Sequence, residues 1–226
     1  MMFQGFSQES IDFLWGLRLN NERGWFLAHK DEFLNLVDAP MKQLAQEIGQ
    51  EMAEKYPRLG LEVKVSRIYR DARRLHGRGP YKDHLWFTLR RPGEREAATP
   101  CFYFELAPEC YSIGMGCYDA TPLTMAKLRA RIDRDPKPAE KLARQMKSRP
   151  EFQLYGELYK RPKGDPGELL YPWYNRKQFG MSWDNNCEGV LFTPELKTQI
   201  LDSFVFLQPF YSYFRELPGD PVPKGY

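Results

Sequence analysis

The sequence predicts an α+β fold, in which an antiparallel meander sheet of about four or more strands is flanked by N-terminal and C-terminal helices. Apolar residues recur at helical spacing up to Tyr56-Pro57, and from Leu61 their period changes from 3.6 to 2. Short connections join the alternating runs, which is typical of hairpins and not of βαβ units. A length of 226 residues fits one large domain or one domain with a subdomain, and a single α+β domain over residues 1–226 is the prediction.

Residues 1–57 are predicted to be helical. Ser7 stands where a helix N-cap belongs, just ahead of the first periodic apolar run. This helix should end at Asn20-Asn21, because asparagine tolerates the left-handed conformation found at helix C-termini. A later helix should begin at Pro40, since proline suits the first turn of a helix.

Residues 61–118 are predicted to form the sheet. Alternation of apolar and polar residues indicates four strands, over residues 61–71, 85–90, 102–106 and 111–115. The first two strands are joined by a segment that contains Gly77, Gly79 and Pro80. Glycine lacks a Cβ, so this connection would let the backbone approach a bound ligand closely.

Residues 121–217 are predicted to be helical with irregular parts, and residues 218–226 to be a C-terminal tail. Two helices should begin directly after Thr121 and Thr193, each of which is followed by proline. Pro209 should start a separate aromatic turn or helix, because proline disrupts the interior of a helix.

Charge is concentrated in one part of the chain. The formal net charge is only +3, but residues 64–95 hold ten Lys/Arg against three Asp/Glu, a local charge of +7. Such a segment favours a phosphate-bearing or carboxylate-bearing partner. The chain as a whole is far less basic than a dedicated nucleic-acid-binding domain.

Several classes of protein are disfavoured by pattern. The first residues lack a cationic region followed by an apolar run, so no secretory signal is expected. No stretch approaches about eighteen continuous apolar residues, so no membrane partner is expected. The four cysteines show neither zinc-ligand nor C-x-x-C spacing. A cytoplasmic protein with reduced thiols and no cofactor is the prediction.

The segment over residues 66–84 concentrates the candidate ligand-binding side chains, with six Arg/Lys and two Asp. Guanidinium groups present rigid forks of donors that bind phosphate or carboxylate in bidentate fashion. Asp71 would orient the arginines. The candidate anion-binding residues are Arg67, Arg70, Arg73, Lys82, Tyr81, Asn20 and Asn21.

The same segment allows a structural alternative. On an extended strand, Arg67 and Arg70 point to opposite faces unless a bulge intervenes. The arginines would then pair internally with Asp71, Asp83 and Glu105 and line a solvated edge of the sheet.

Catalytic residues are not assigned, although Tyr81, Lys82 and Asp71 are candidates for proton transfer or for stabilising an oxyanion. No metal is predicted, because His76 and His84 lie among arginines that repel a cation. No Walker sequence, G-x-S-x-G motif or dinucleotide-binding glycine motif occurs in a suitable context. Whether the protein is an enzyme is left open.

A set of motifs is spread over most of the chain. It comprises Asn20-Asn21 with Arg23, Trp25 and Phe26; Arg67, Arg70-Asp71 and Arg73; Pro80-Tyr81-Lys82; Gly114 and Gly116; Arg129 to Ile132; and Lys160-Arg161-Pro162-Lys163-Gly164. Through these motifs the chain resembles an uncharacterised conserved family of bacterial and fungal proteins, domain of unknown function 2461. The resemblance implies a family that spans the whole domain and has no established activity.

Three hypotheses for function follow from these observations. The first is a cytoplasmic domain whose arginine-rich pocket binds a phosphorylated or carboxylated small ligand, with phosphoryl or phosphodiester chemistry if it is an enzyme. The second is a nucleic-acid-binding protein that uses the same basic surface. The third is a non-enzymatic interaction module in which the arginines are paired internally.

Overall fold

The structure is a computed structural model that describes residues 2–71, 73, 79–93, 99–118 and 120–225. Its strands, numbered β1 to β6 in chain order, are Glu62–Val65, Leu85–Arg90, Cys101–Leu106, Cys110–Cys117, Gln153–Tyr155 and Phe179–Asn186. They form one open antiparallel sheet in the order β1-β2-β3-β4-β6-β5. This sheet, flanked by helices, confirms the predicted α+β architecture.

The helices fall before and after the first four strands, as the sequence predicts. Numbered α1 to α8, they are Gln8–Leu19, Arg23–Ala28, Lys30–Glu32, Ala39–Lys55, Pro122–Arg134, Lys137–Met146, Tyr171–Tyr174 and Glu195–Arg215. A π-helix, Phe33–Asp38, connects α3 to α4. Among the described helices, none is long and apolar enough to cross a membrane. The cytoplasmic location stays a prediction.

Two compact units can be distinguished in the chain. Unit 1 comprises Met1–Pro92, Tyr103–Ile113 and Asp184–Ser203, and unit 2 comprises Gly93–Phe102, Gly114–Trp183 and Phe204–Tyr226. All of the predicted site residues belong to unit 1. The organisation of residues 1–226 as one domain stays a prediction.

In unit 1, the ends of α1 and the start of α4 lie where the sequence predicts. Ser7 is the N-cap of α1, and its backbone N–H donates to the hydroxyl of Ser10 at 3.0 Å. Asn20 ends α1, but with φ of −126° it does not adopt the left-handed conformation. Pro40 occupies the first turn of α4, which continues to Lys55.

The core of unit 1 lies under one face of β2. Leu85, Phe87 and Leu89 are fully buried, whereas the residues between them are half-buried, so β2 has one apolar and one open face. Helix α4 packs against both β1 and β2. The apolar stripe of α4 and the apolar face of β2 therefore form a common core, which fixes the sheet edge that carries the arginines.

The first strand is shorter than predicted. β1 ends at Val65, and the prediction that this strand continues to residue 71 is wrong. The Trp86 N–H donates to the Ser66 hydroxyl at 3.0 Å, while the Ser66 N–H donates to the Trp86 carbonyl at 2.8 Å. A side chain thus replaces a backbone acceptor at this position, and the regular ladder stops.

No sequence pattern assigns residues 149–190. Aromatic packing defines the structure of the part of this segment that lies in unit 2, residues 149–183. The ring of Phe179 in β6 stacks on Phe214 in α8 with centroids 3.7 Å apart. Trp173 in α7 stacks on Phe210 and Phe214 at 6.0 and 6.1 Å. These long-range ring contacts give the segment its fold, which explains why local periodicity does not reveal it.

Pro209 does not begin a separate element, so this prediction is wrong. Helix α8 continues through Pro209 to Arg215. Phe204, Phe210 and Phe214 are all buried along this helix. Burial of this aromatic face stabilises the helix across the lost backbone hydrogen bond, so that tertiary packing overrides the local preference of proline.

Candidate anion site beside the register shift

The edge of the sheet changes register directly after β1. Val65 pairs with Phe87, and the next bridge joins Tyr69 to Tyr81. This step is four residues on the first chain segment and six on the second, so two additional residues lie between Tyr81 and Phe87. Such an irregularity re-aims side chains, as a β-bulge does. Simple alternation therefore does not decide where the side chains of this segment point.

Asp83 lies in the displaced segment and binds three basic side chains. Its Oδ1 accepts from Arg70 Nη2 at 3.2 Å and from His84 Nδ1 at 3.0 Å. Its Oδ2 accepts from Arg18 Nε at 2.6 Å, and Arg70 Nε donates to the Tyr81 carbonyl at 2.7 Å. Only 16% of the Arg70 side chain and 17% of the Asp83 side chain are exposed. Arg70 is therefore an internal structural arginine.

Glu109 extends this network to the turn between β3 and β4. Both carboxylate oxygens of Glu109 accept from the guanidinium of Arg18, and this hydrogen bond is the main reason that the pKa of Glu109 is lowered. Burial by itself would raise the pKa of Asp83, but hydrogen bonds from Arg18 and His84 outweigh burial and lower it. Both carboxylates are therefore held in their charged form.

Asn21 fixes the backbone of the P-Y-K motif. Its Oδ1 accepts from the Tyr81 N–H and its Nδ2 donates to the Tyr81 carbonyl, both at 3.0 Å. A Cβ on Gly79 would lie 2.1 Å from Asn21 Oδ1, so only glycine leaves room for this contact. Asn20 is exposed and binds the Gly16 carbonyl of its own helix. The two asparagines thus support structure, one at the loop and one at the helix end.

Tyr81 is part of an aromatic cluster. Only 3% of this residue is exposed, and its ring stacks on Phe26 with centroids 4.1 Å apart. Burial, together with the neighbouring Tyr69, raises the pKa of the Tyr81 phenol. A phenol in this position is poorly suited to exchange protons with a ligand at neutral pH.

Asp71 and Arg73 form a local pair at the surface. Asp71 Oδ1 accepts from the backbone N–H of Arg73 at 3.0 Å, and Asp71 Oδ2 accepts from Arg73 Nη2 at 2.8 Å. The Arg73 side chain is 88% exposed. This arrangement is a solvated turn, in which an ion pair contributes little to stability.

Lys64, Arg67 and Lys82 form a different group, which we call the cation surface. Lys82 Nζ donates to the backbone carbonyl of Arg67 and lies 4.4 Å from the centroid of the Trp86 ring. Arg67 is exposed, and its guanidinium has no hydrogen-bond or ion-pair partner in the part of the chain that the structure describes. His84 stacks on the same indole at 5.5 Å.

The positive charges of the cation surface lie close enough to repel one another. Burial lowers the pKa of Lys82, and the nearby charges of Arg70 and Arg67 lower it further. Burial likewise lowers the pKa of Lys64, assisted by Arg90 and Arg67. Positive charges therefore crowd around Arg67, and a bound anion would relieve this repulsion.

A separate cleft of about 440 Å³ lies between α1 and the helices that follow it, and not at the arginines. Its lining residues are Glu9, Asp12, Phe13, Trp25, His29, Glu32 and Leu36. The acidic lining is unsuitable for an anion. Within the described ranges, no group of three or more His, Cys, Asp or Glu is arranged to hold a metal ion.

The sequence pattern missed the long-range partners of this region. Arg18 lies 65 residues before Asp83, and Glu109 lies 91 residues after Arg18. Trp86 alternates correctly on β2, but nothing in the pattern indicates that Lys82 covers its ring. Of the glycine-rich connection, Gly77 and His76 lie outside the described residues.

The comparison with family models agrees with the motifs in the sequence. A model described as "Conserved hypothetical protein (DUF2461)" matches residues 9–213. The chain therefore belongs to this family, which confirms the resemblance drawn from its arginine and P-Y-K motifs. No curated protein matches the chain.

Proposed function

We propose that unit 1 binds an anionic small molecule, a phosphorylated or carboxylated compound, at the cation surface. The observation that carries this proposal is the environment of Lys82. Its ammonium is held by a backbone carbonyl and an aromatic ring, both of them neutral groups, and it lies beside the exposed Arg67. Cations in folded proteins are usually neutralised when they converge in this way.

The proposed ligand group is an oxyanion, because guanidinium and ammonium together match its geometry. Arg67 can donate two parallel hydrogen bonds to a phosphate or carboxylate, and Lys82 adds a point charge. The Trp86 ring, which Lys82 covers and on which His84 stacks, lies next to this charge and fixes the position of the Lys82 ammonium. Arg70, which is bound to Asp83, is close enough to Lys82 for its positive charge to lower the pKa of Lys82.

The proposed role of unit 1 is to bind the ligand, and no catalytic step is assigned to it. Tyr81 is enclosed by aromatic rings, and Asp71 is engaged by Arg73 in the surface turn. Of the catalytic candidates, Lys82 alone belongs to the cation surface. The amended set of ligand-binding residues is therefore Arg67 and Lys82, with Lys64 contributing charge.

Isothermal titration with inorganic phosphate at constant ionic strength tests this proposal. We expect the Arg67→Gln/Lys82→Gln variant to bind phosphate at least about tenfold more weakly than the unmodified protein, because two charge-assisted hydrogen bonds are lost. Arg73→Gln is the matched control, since it removes a neighbouring charge that is already paired. Equal weakening by Arg73→Gln would show that the cation surface has no special role.

The salt dependence of oligonucleotide binding distinguishes the nucleic-acid alternative. A protein that contacts several phosphates of a single strand loses affinity with a log–log slope of about −0.7 per phosphate. A steep slope that flattens in the Arg67→Gln/Lys82→Gln variant would favour nucleic acid as the ligand. A flat response in the unmodified protein, together with phosphate binding, would support the small-molecule form of the proposal.

A further inference from the structure

A second group of cations lies in unit 2, on residues that belong to the family motifs but are unrelated to the cation surface. Arg129 is in α5, and its guanidinium lies 5.5 Å from the centroid of the Tyr159 ring. Lys163 Nζ lies 4.8 Å from the centroid of that same ring. One aromatic ring therefore has an arginine and a lysine beside it.

The Arg129 guanidinium is incompletely satisfied. Its Nη1 is buried and has no hydrogen-bond partner in the described ranges. A buried N–H of a charged group that makes no hydrogen bond is unfavourable, and such groups in native proteins commonly serve a ligand or an ordered water. Arg129 as a whole is only half-buried, so part of its side chain remains open to solvent.

The nearest acidic residue on the same helix face is already engaged. Asp133 Oδ2 accepts from the Tyr174 hydroxyl at 3.0 Å. Burial and this hydrogen bond raise the pKa of Tyr174, while the positive charge of Arg129 acts in the opposite direction. Arg129 is therefore close to this pair but forms no ion pair with Asp133.

The loop that carries Lys163 is firmly held. Asn175, which is 2% exposed, accepts from the Lys163 backbone N–H at 2.6 Å and donates to the Gly164 carbonyl at 3.0 Å. The Tyr159 N–H donates to the Asn175 carbonyl at 2.9 Å. Asn175 thus fixes both ends of the short basic segment, one end through its buried side chain and the other through its backbone carbonyl, so that the exposed Lys163 side chain faces the Tyr159 ring from a defined backbone.

We propose that Arg129 and Lys163 form a second oxyanion-binding site, in unit 2, for a phosphate or a phosphate-like group. An oxyanion beside the Tyr159 ring accepts from both cations and supplies the negative charge that neither of them obtains from a carboxylate of the described chain. Lys160 and Arg161, which are exposed in the same loop, increase the local positive potential. This proposal does not depend on the site in unit 1.

The test uses full-length protein in the Arg67→Gln/Lys82→Gln background, in which the unit 1 site is disabled. Inorganic phosphate is titrated at constant ionic strength, with chloride as the replaced anion. We expect Lys163→Gln and Arg129→Gln each to weaken phosphate binding at least about tenfold. Lys141→Gln, a change of an exposed lysine in α6, is the control and should leave the affinity unchanged. Lys163 is also exposed, so its loss is not expected to affect folding.

A thermal measurement separates a ligand-binding role of Arg129 from a structural one. Arg129→Met should unfold at the same or a higher temperature without phosphate, since it removes an unsatisfied buried donor, and phosphate should no longer raise this temperature. The proposal is overturned if Lys163→Gln binds phosphate like its parent, or if phosphate neither binds to nor stabilises the parent. A lower melting temperature of Arg129→Met with an intact phosphate response would also overturn it.

Discussion

Two neighbouring parts of the arginine-rich segment differ in what holds their charges. Arg70 is bound to Asp83, which also accepts from Arg18 and His84. Lys82, next to Asp83 in the chain, is bound by a carbonyl and an indole, and Arg67 remains exposed. Residues of one short motif thus serve two purposes, of which the first is structural and the second is proposed to be ligand binding.

Charged residues that are neighbours in this sequence therefore have different partners and different roles. In the segment with the shifted register, the Asp83 carboxylate contacts Arg70 and the Lys82 ammonium lies over the Trp86 ring. The Asp83 carboxylate is occupied by Arg18, Arg70 and His84. Lys82 and Arg67 therefore form no ion pair with it. Arg73 is a third case, because its pairing with Asp71 is local and solvated.

The largest effect is expected from removal of the shared carboxylate. Asp83→Ala leaves Arg18 and Arg70 without their common acceptor in a place where both are mostly covered. We expect the free energy of unfolding to fall by about 3 kcal/mol, the cost of leaving a buried charge unpaired. Urea denaturation at pH 7 measures this loss.

The pH dependence provides the control for Asp83→Ala. The pKa of Asp83 is lowered in the folded protein, so its contribution to stability is complete above the ordinary aspartate pKa of about 4. The contribution is lost as the pH falls through the lower pKa of the folded state. The difference in the free energy of unfolding between the unmodified protein and Asp83→Ala should therefore shrink in strong acid. A constant difference from pH 7 to pH 2 would contradict a stabilising role of the Asp83 charge.

A smaller effect is expected from the loop clamp. Asn21→Ala removes both hydrogen bonds to the backbone of Tyr81, and we expect a loss of about 2 kcal/mol in the free energy of unfolding. Asn20→Ala is the matched control, since the exposed Asn20 side chain donates to the Gly16 carbonyl of its own helix, and it should cost about 0.5 kcal/mol. If the two variants are equally stable, Asn21 does not fix the P-Y-K motif.

The smallest effect is expected at the solvated pair. Arg73→Ala should leave the free energy of unfolding unchanged within the error of the measurement, because the side chain is exposed and its partner is two residues away. Chemical denaturation side by side with the unmodified protein checks this. A loss comparable with that of Asp83→Ala would mean that the surface turn belongs to the same network as Arg70.

Much of the fold could be predicted from local patterns. The cap at Ser7, the start of α4 at Pro40 and the alternation of buried Leu85 and Phe87 with Trp86 each depend on neighbours within a few residues. Residues 149–183 and the continuity of α8 through Pro209 could not be predicted, because distant aromatic rings stabilise them. In both places, aromatic packing between distant segments outweighs the local conformational preference of the residues.

For the candidate site, too, one part could be predicted from the sequence and another part could not. Its location in residues 66–84 follows from charge, since these residues hold six Arg/Lys against two Asp and lie within the stretch 64–95, which has a local charge of +7. Its internal order does not follow, because Arg18 and Glu109 are distant in the sequence and the additional residues after Tyr81 depend on pairing. The buried Arg129 donor in unit 2 could not be recognised from the sequence either, because Tyr159, whose ring it meets, is distant in the chain.

The class of fold, the order of the main elements and the segment rich in positive charge follow from the amino-acid sequence, because periodicity and composition are local properties. Which cation meets a carboxylate depends on how the chain folds. A hydrogen bond needs its two atoms within about 3 Å, and that distance is set by the register of the sheet and by residues far apart in the chain. Asp83 thereby became the centre of a structural network, and Lys82, its neighbour, was left with Arg67 for the proposed anion.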